Sequence, residues 1–142
     1  MRFIGLLKAD KHSEAGAPPS KELMEKMGKF IEEITKAGVL LATEGLQPSS
    51  KGARIRFSGG TPTVIDGPFK DAKDLIAGYW LIQVKSRDEA LEWARRVPFG
   101  VDVHMGGEGE IELRQLFELE DFAPSEAVEH HRELGKALGK KK

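Results

Sequence analysis

The chain of 142 residues contains no cysteine, which excludes disulfide bonds, thiol catalysis and zinc sites with cysteine ligands. It has no apolar run near the roughly 20 residues that a membrane-spanning helix needs, and its first residues lack the pattern of a signal peptide. It also lacks a dominant charge, because 22 Lys and Arg oppose 23 Asp and Glu. These absences predict one soluble, cytoplasmic domain over residues 1–142, without a membrane partner.

Basic charge is concentrated at the C-terminal end of the chain. Residues 136–142 contain four lysines and no acid, so residues 1–135 carry five more acidic than basic side chains. Such a surface is a poor match for a phosphate backbone. The segment 51–57 faintly resembles an RNA-binding motif, but its aromatic positions do not fit, and no nucleic-acid partner is expected.

The hydrophobic pattern predicts a core of four strands and two helices in the order βαββαβ. Two-residue alternation marks the strands, while apolar spacings of three and four mark the helices, which begin after Ser20 and Ser86. The predicted strands are residues 1–9, 39–45, 75–84 and 110–118, and the predicted helices are 20–37 and 86–97. Residues 10–19 are predicted to form a loop. This order is the split βαβ arrangement of an α+β, ferredoxin-like fold.

Two further elements extend this core. Residues 53–58 and 61–66 flank Gly59-Gly60, which predicts a β-hairpin insertion with Phe57 opposite Pro62 and one apolar face. A helical pattern follows Pro124 and continues into the basic tail. The core is therefore assigned to residues 1–118, and the C-terminal helix and tail to residues 119–142.

The two core helices can cover only one face of the predicted sheet. The other face also carries Leu and Ile side chains, and a monomer would leave that apolar patch in water. The sequence therefore predicts a homodimer in which two sheets pack face to face as a dimeric α/β barrel.

One four-residue segment, Asp66-Gly67-Pro68-Phe69, resembles the motif of the DGPF-domain proteins of the YCII-related family. The blocks Gly78–Ile82 and Asp88–Ala94 after it, and Ala37–Leu41 and Glu44–Leu46 before it, are similar to the same family in the same order. The resemblance covers roughly residues 1–118. It implies a ferredoxin-like subunit and a dimeric α/β barrel, in agreement with the periodicity.

The resemblance implies less about activity. Better-understood YCII-like members use a His–Asp pair as a proposed acid/base site, with the histidine early in the first helix. The predicted helix 20–37 contains no histidine, and His12 precedes it, so the pair does not carry over. DGPF members also occur linked to, or encoded beside, extracytoplasmic-function sigma factors, which implies a regulatory role and a sigma factor as a partner by association.

Three residues are candidates for acid/base chemistry. Asp66 ends an apolar row of the hairpin and is a candidate base or hydrogen-bond acceptor, although Asp-Gly-Pro also favours an ordinary turn. Glu44 ends the second strand. If Asp66 lies beside it, repulsion between the two carboxylates would raise the pKa of one of them; otherwise Glu44 is an exposed glutamate at a strand end. His104 lies in a glycine-flanked loop and is a candidate acid/base because histidine is the residue type whose unperturbed pKa is near neutrality; otherwise it is simply a solvated loop histidine.

Four residues are candidates for ligand binding. Arg54 and Arg56 lie on the polar face of the hairpin and suit a carboxylate, or else form surface ion pairs. Phe69 anchors the turn after Asp66, and Tyr79 lines either an apolar pocket or the core and dimer interface. The adjacent histidines at 130 and 131 point too far apart on a helix to chelate one ion, so no metal and no cofactor are expected.

These candidate residues are compatible with three functions. The first is a small-molecule-binding dimer, regulatory in role, with its pocket near Asp66. The second is an enzyme of lyase, isomerase or dehydrohalogenase type in the same pocket, with Asp66 as base and Glu44 or His104 assisting. The third is an interaction protein that docks a partner such as a sigma factor.

Overall fold

The computed structural model describes residues 1–70, 74–98 and 109–139. These residues form six strands and four helices, with short 3-10 turns at Ser49–Lys51 and Leu119–Asp121. The elements are β1 (Arg2–Lys8), α1 (Lys11–Glu14), α2 (Lys21–Lys36), β2 (Leu40–Gly45), β3 (Ala53–Ser58), β4 (Thr61–Asp66), β5 (Ile76–Gln83), α3 (Arg87–Arg95), β6 (Ile111–Gln115) and α4 (Glu126–Gly139). None of these helices is long and apolar enough to cross a membrane.

Four strands form one sheet in the order β2-β5-β1-β6, with all neighbours antiparallel. The strands β1 and β2 are therefore parallel with β5 between them, and β5 and β6 are parallel with β1 between them. Each parallel pair is joined through a long helix, α2 or α3. This is the split βαβ arrangement, and it confirms the predicted ferredoxin-like α+β fold.

The helices α2 and α3 cover the same face of this sheet. Ser20 accepts a hydrogen bond from the Leu23 amide at 3.1 Å at the start of α2, and Ser86 accepts one from Glu89 at 3.1 Å at the start of α3. A core of buried apolar side chains fills the space between helices and sheet. Its members are Phe3, Phe30, Ile34, Val39, Trp80, Ile82, Val84, Ala90 and Val97.

The segment 10–19 contains a helix, so its prediction as a loop was wrong. Asp10 accepts a hydrogen bond from the Ser13 amide at 2.8 Å, and the Ser13 hydroxyl accepts one from the Asp10 amide at 2.9 Å. This reciprocal pair starts α1. Because α1 is only four residues long, it has no apolar repeat from which a helix could be recognised.

The other face of the sheet has an apolar centre and a charged border. Ile4 pairs with Leu81 across the β1–β5 ladder, and Leu6 pairs with Tyr79. We call these four partly buried side chains the open-face centre. Two hydrogen bonds from the Arg2 guanidinium, at 2.9 and 3.0 Å, hold the pKa of Glu118 below its usual value at the border.

The hairpin β3–β4 is a separate two-stranded sheet. Phe57 pairs with Pro62 and Ile55 with Val64, which confirms the predicted register. Gly59 and Gly60 adopt φ values of 70° and 91°, the left-handed region that the tight turn requires. The apolar side chains of Ile55, Phe57 and Val64 are exposed, with Phe57 at 79%.

Candidate functional site

A cavity of about 730 Å³ lies between the first half of α2 and the ends of β1, β2 and β5. We call it the main cavity. The helix α1 and residues 16–19 close one side of it, and residues 45–48 close another. Its volume lies within the range of small-molecule sites.

One wall of the main cavity is apolar and comes from successive turns of α2. Leu23, Met27 and Ile31 lie at helical spacing along this wall, and Met24 lies at its exposed edge. A side chain added at Gly28 would meet no heavy atom within 4 Å, so the helix leaves space there. Methionine side chains adapt their shape to a ligand more readily than branched ones.

The remaining walls of the main cavity carry the polar groups. The Asp10 carboxylate is engaged in capping α1, and the Thr43 hydroxyl donates to the Tyr79 carbonyl at 3.0 Å. His12 of α1 and Glu44 of β2 bring an imidazole and a carboxylate to the same cavity. The main cavity therefore combines an apolar helix wall with an imidazole and a carboxylate, which are both side-chain types used in general acid/base chemistry.

A smaller cavity of about 310 Å³, which we call the side cavity, adjoins the main one. Residues 46–48 line both cavities. Arg54 and Phe69 meet in the side cavity, where the guanidinium carbon lies 3.9 Å from the centre of the aromatic ring. Lys51 brings a second cation to this lining.

A chain of hydrogen bonds connects the turn after Asp66 to α1. The Phe69 amide donates to the Ser49 hydroxyl at 3.0 Å. The Ser49 amide donates to Glu14 Oε1 at 3.0 Å, and its hydroxyl donates to Glu14 Oε2. The segment 66–69 is thereby joined through the Ser49 turn to the helix that closes the main cavity.

The structure places the predicted acid/base residues in different surroundings. Glu44 lines the main cavity, as described above. Asp66 is exposed at the end of β4 and lines neither cavity, so it does not share a cavity with Glu44. His104 lies outside the described residues.

The predicted ligand-binding residues are also divided. Arg54 and Phe69 come together in the side cavity, whereas Arg56 is exposed on the hairpin and lines neither cavity. Tyr79 belongs to the open-face centre, where it also pairs with Glu44 across the β2–β5 ladder. Within the described ranges, no group of three or more His, Asp and Glu side chains is arranged to hold a metal ion.

His12 is the site residue that the sequence analysis missed. It lies in α1, the first helix of the chain, although the sequence predicted a loop there. The Asp10-x-x-Ser13 pattern was the available signal, because aspartate and serine are a favoured pair for starting a helix. Recognition of that pattern would have placed His12 early in a helix.

The fold and the cavities define a small ferredoxin-like α+β protein with a solvent-accessible pocket beside its first helices. The chain belongs to the family of the YCII-related domain, whose model matches residues 1–120. It is 35% identical over 75 residues to "Uncharacterized protein R00369" of Rhizobium meliloti (strain 1021), a match that spans 53% of this chain and 60% of that relative.

One solved structure is a more distant likeness. It is 5-chloro-2-hydroxyhydroquinone dehydrochlorinase from Burkholderia phenoliruptrix AC1100, in complex with 2,5-dihydroxybenzoquinone. The sequences are 14% identical, and the TM-score is 0.44 over 83% of this chain and 95% of that one.

Proposed function

We propose that the protein binds a small, largely apolar organic molecule in the main cavity. The observation that carries this proposal is the cavity itself, about 730 Å³ in volume, with an apolar wall from α2 facing polar groups from α1 and β2. Small-molecule sites have this composition, in which apolar contacts supply affinity and a few polar groups fix orientation. The ligand is therefore expected to carry at least one hydrogen-bonding group.

A second candidate function is acid/base catalysis in the same cavity. It is favoured by the placement of His12 and Glu44 on one cavity lining. An imidazole titrates near neutral pH and can donate or accept a proton, while a glutamate carboxylate can accept one or orient the imidazole. In this hypothesis His12 takes the acid/base role that the sequence analysis gave to His104.

A large side chain at position 28 of α2 would fill part of the main cavity without disturbing the sheet. We expect Gly28→Phe to weaken binding of the neutral dye Nile red about tenfold or more, because the added ring occupies the space that the dye needs. The change is measured as dye fluorescence against protein concentration.

Gly28→Ala is the matched control for this experiment. Its methyl group is small, and alanine should stabilise α2 by about 1 kcal/mol while dye binding is kept. Phe57→Ser removes an exposed ring of the hairpin and tests for dye binding at that surface. Undiminished dye affinity in Gly28→Phe, with an unchanged circular dichroism spectrum, would contradict binding in the main cavity.

We also propose that two subunits associate through the open face of the sheet. The support is the open-face centre with its border of paired charges, since an apolar centre and a polar rim are typical of interfaces. Sedimentation equilibrium at micromolar concentration should give about 31 kDa, twice the 15.7 kDa of one chain. A mass of one chain under those conditions would contradict the homodimer.

A further inference from the structure

We propose that the side cavity is a second binding site, specific for small monocarboxylates that carry an apolar body. The proposal rests on the residues of the side cavity alone and does not require a ligand in the main cavity. Its basis is the combination of two cations with apolar walls around one open cavity of about 310 Å³.

The walls of the side cavity suit an apolar group of modest size. Leu46, Leu75 and Ile76 line it together with the Phe69 ring. A volume of about 310 Å³ lies at the lower end of the range for small-molecule sites. The apolar part of the ligand should therefore be about as large as a single aromatic ring.

The two cations of the side cavity have no acidic partner within the described residues. Arg54 and Lys51 form no ion pair with any carboxylate of those segments, although Arg2, Arg95, Arg96, Arg114 and Arg132 each do. The Arg54 guanidinium stacks over the Phe69 ring at 3.9 Å. Because stacking uses the flat face of the guanidinium, its N–H edge remains directed away from the ring and can hold both oxygens of a carboxylate.

The acid in the lining, Glu14, is bonded to Ser49 and forms no ion pair with Arg54 within the described residues. Glu14 uses both carboxylate oxygens to accept hydrogen bonds from Ser49. One glutamate and two basic side chains leave the side cavity with one excess positive charge. A monoanion balances that charge, whereas a dianion such as phosphate would overcompensate it and would leave the apolar walls uncovered.

The side cavity is held open before any ligand binds. The Phe69 amide is bonded to Ser49 at 3.0 Å, and the Gly67 amide is bonded to the Gly52 carbonyl at 3.0 Å. These bonds fix the ring on which Arg54 stacks. Preorganisation of this kind lowers the conformational entropy that binding must remove.

Benzoate and benzamide test the proposal on the intact chain, since they differ in charge and hardly in shape. Titrations followed by NMR chemical shifts at 0.15 M salt should show benzoate binding about tenfold or more tighter than benzamide. Arg54→Gln should lower the benzoate affinity about tenfold and leave the benzamide affinity unchanged. Arg56→Gln is the matched control, because Arg56 lies on the same strand but outside the cavity, and it should keep benzoate binding.

Each other outcome overturns the proposal. Equal affinities for benzoate and benzamide would exclude a carboxylate site, and equal losses in both arginine variants would indicate general charge attraction. Inorganic phosphate binding as tightly as benzoate would exclude a site for an apolar monoanion. If Arg54→Gln does not fold, the proposal is tested by the benzoate affinity of Arg54→Lys and by the ratio of benzoate to benzamide affinity in the unmodified chain. Gly28→Phe should leave benzoate binding in the side cavity unchanged. A failure of the main-cavity proposal can therefore be distinguished from a failure of the side-cavity proposal.

Discussion

Replacement of Gly5 by alanine should lower the free energy of unfolding by about 3 kcal/mol. The Cβ atom of an alanine at this position would lie 2.3 Å from Cε2, 2.5 Å from Cζ2 and 2.7 Å from Nε1 of Trp80. The Trp80 side chain is only 3% exposed and sits within the core cluster. Because interiors are close-packed, the indole can move only by displacing its neighbours. Urea unfolding followed by circular dichroism measures the loss.

A double mutant identifies the indole as the cause. Trp80→Leu shortens the side chain over Gly5 and also removes the Nε1 donor, which is buried without a hydrogen-bond partner among the described residues. The combined cost of Gly5→Ala and Trp80→Leu should therefore be smaller than the sum of the two single costs. Gly45→Ala serves as the control in another strand, because its Cβ would meet nothing within 4 Å. A Gly5→Ala protein as stable as the unmodified chain would contradict the steric explanation.

The pair formed by Gly5 and Trp80 shows what the sequence could predict about the sheet. Period-two alternation puts Gly5 with Phe3 on one face of β1, and Trp80 with Ile82 on one face of β5, in agreement with the pairing of Gly5 with Trp80 and of Phe3 with Ile82. Their apposition depends on strand order and on register. Strand order and register are both set by contacts between residues that are distant in the chain, so a local sequence pattern does not predict them.

The candidate site was less predictable for two separate physical reasons. His12 was missed because a four-residue helix is specified by its capping hydrogen bonds and has no hydrophobic period. The hypothesis that Asp66 acts together with Glu44 required the ends of their two strands to lie close together. The hairpin, however, is a separate sheet with no ladder to β2, so adjacency of strand ends does not follow. Its attachment depends on bonds among Glu14, Ser49 and Phe69, which are far apart in the chain.

The close contact between the 66–69 turn and the Ser49 turn leaves no room for a side chain at Gly67. A substitution at this position should therefore strongly lower the stability of the protein. An alanine Cβ there would lie 1.8 Å from the Ser49 carbonyl oxygen and 2.7 Å from its carbon. These are backbone atoms, so no rotamer change can relieve the overlap. We expect Gly67→Ala to separate the two turns and to lower the free energy of unfolding by about 2–4 kcal/mol.

Hydrogen exchange can locate this damage. If the turns separate, the Phe69 amide loses its bond to Ser49, and its exchange should accelerate about tenfold or more while amides of the β1–β5 ladder stay protected. Gly52→Ala is the control from the same turn, because its Cβ would lie 3.6 Å from the nearest atom and its φ is −116°. An unchanged Phe69 exchange rate in Gly67→Ala would mean that the 66–69 segment is held by other contacts. If the rate does rise, benzoate affinity should fall with it, since the same bond fixes the ring on which Arg54 stacks.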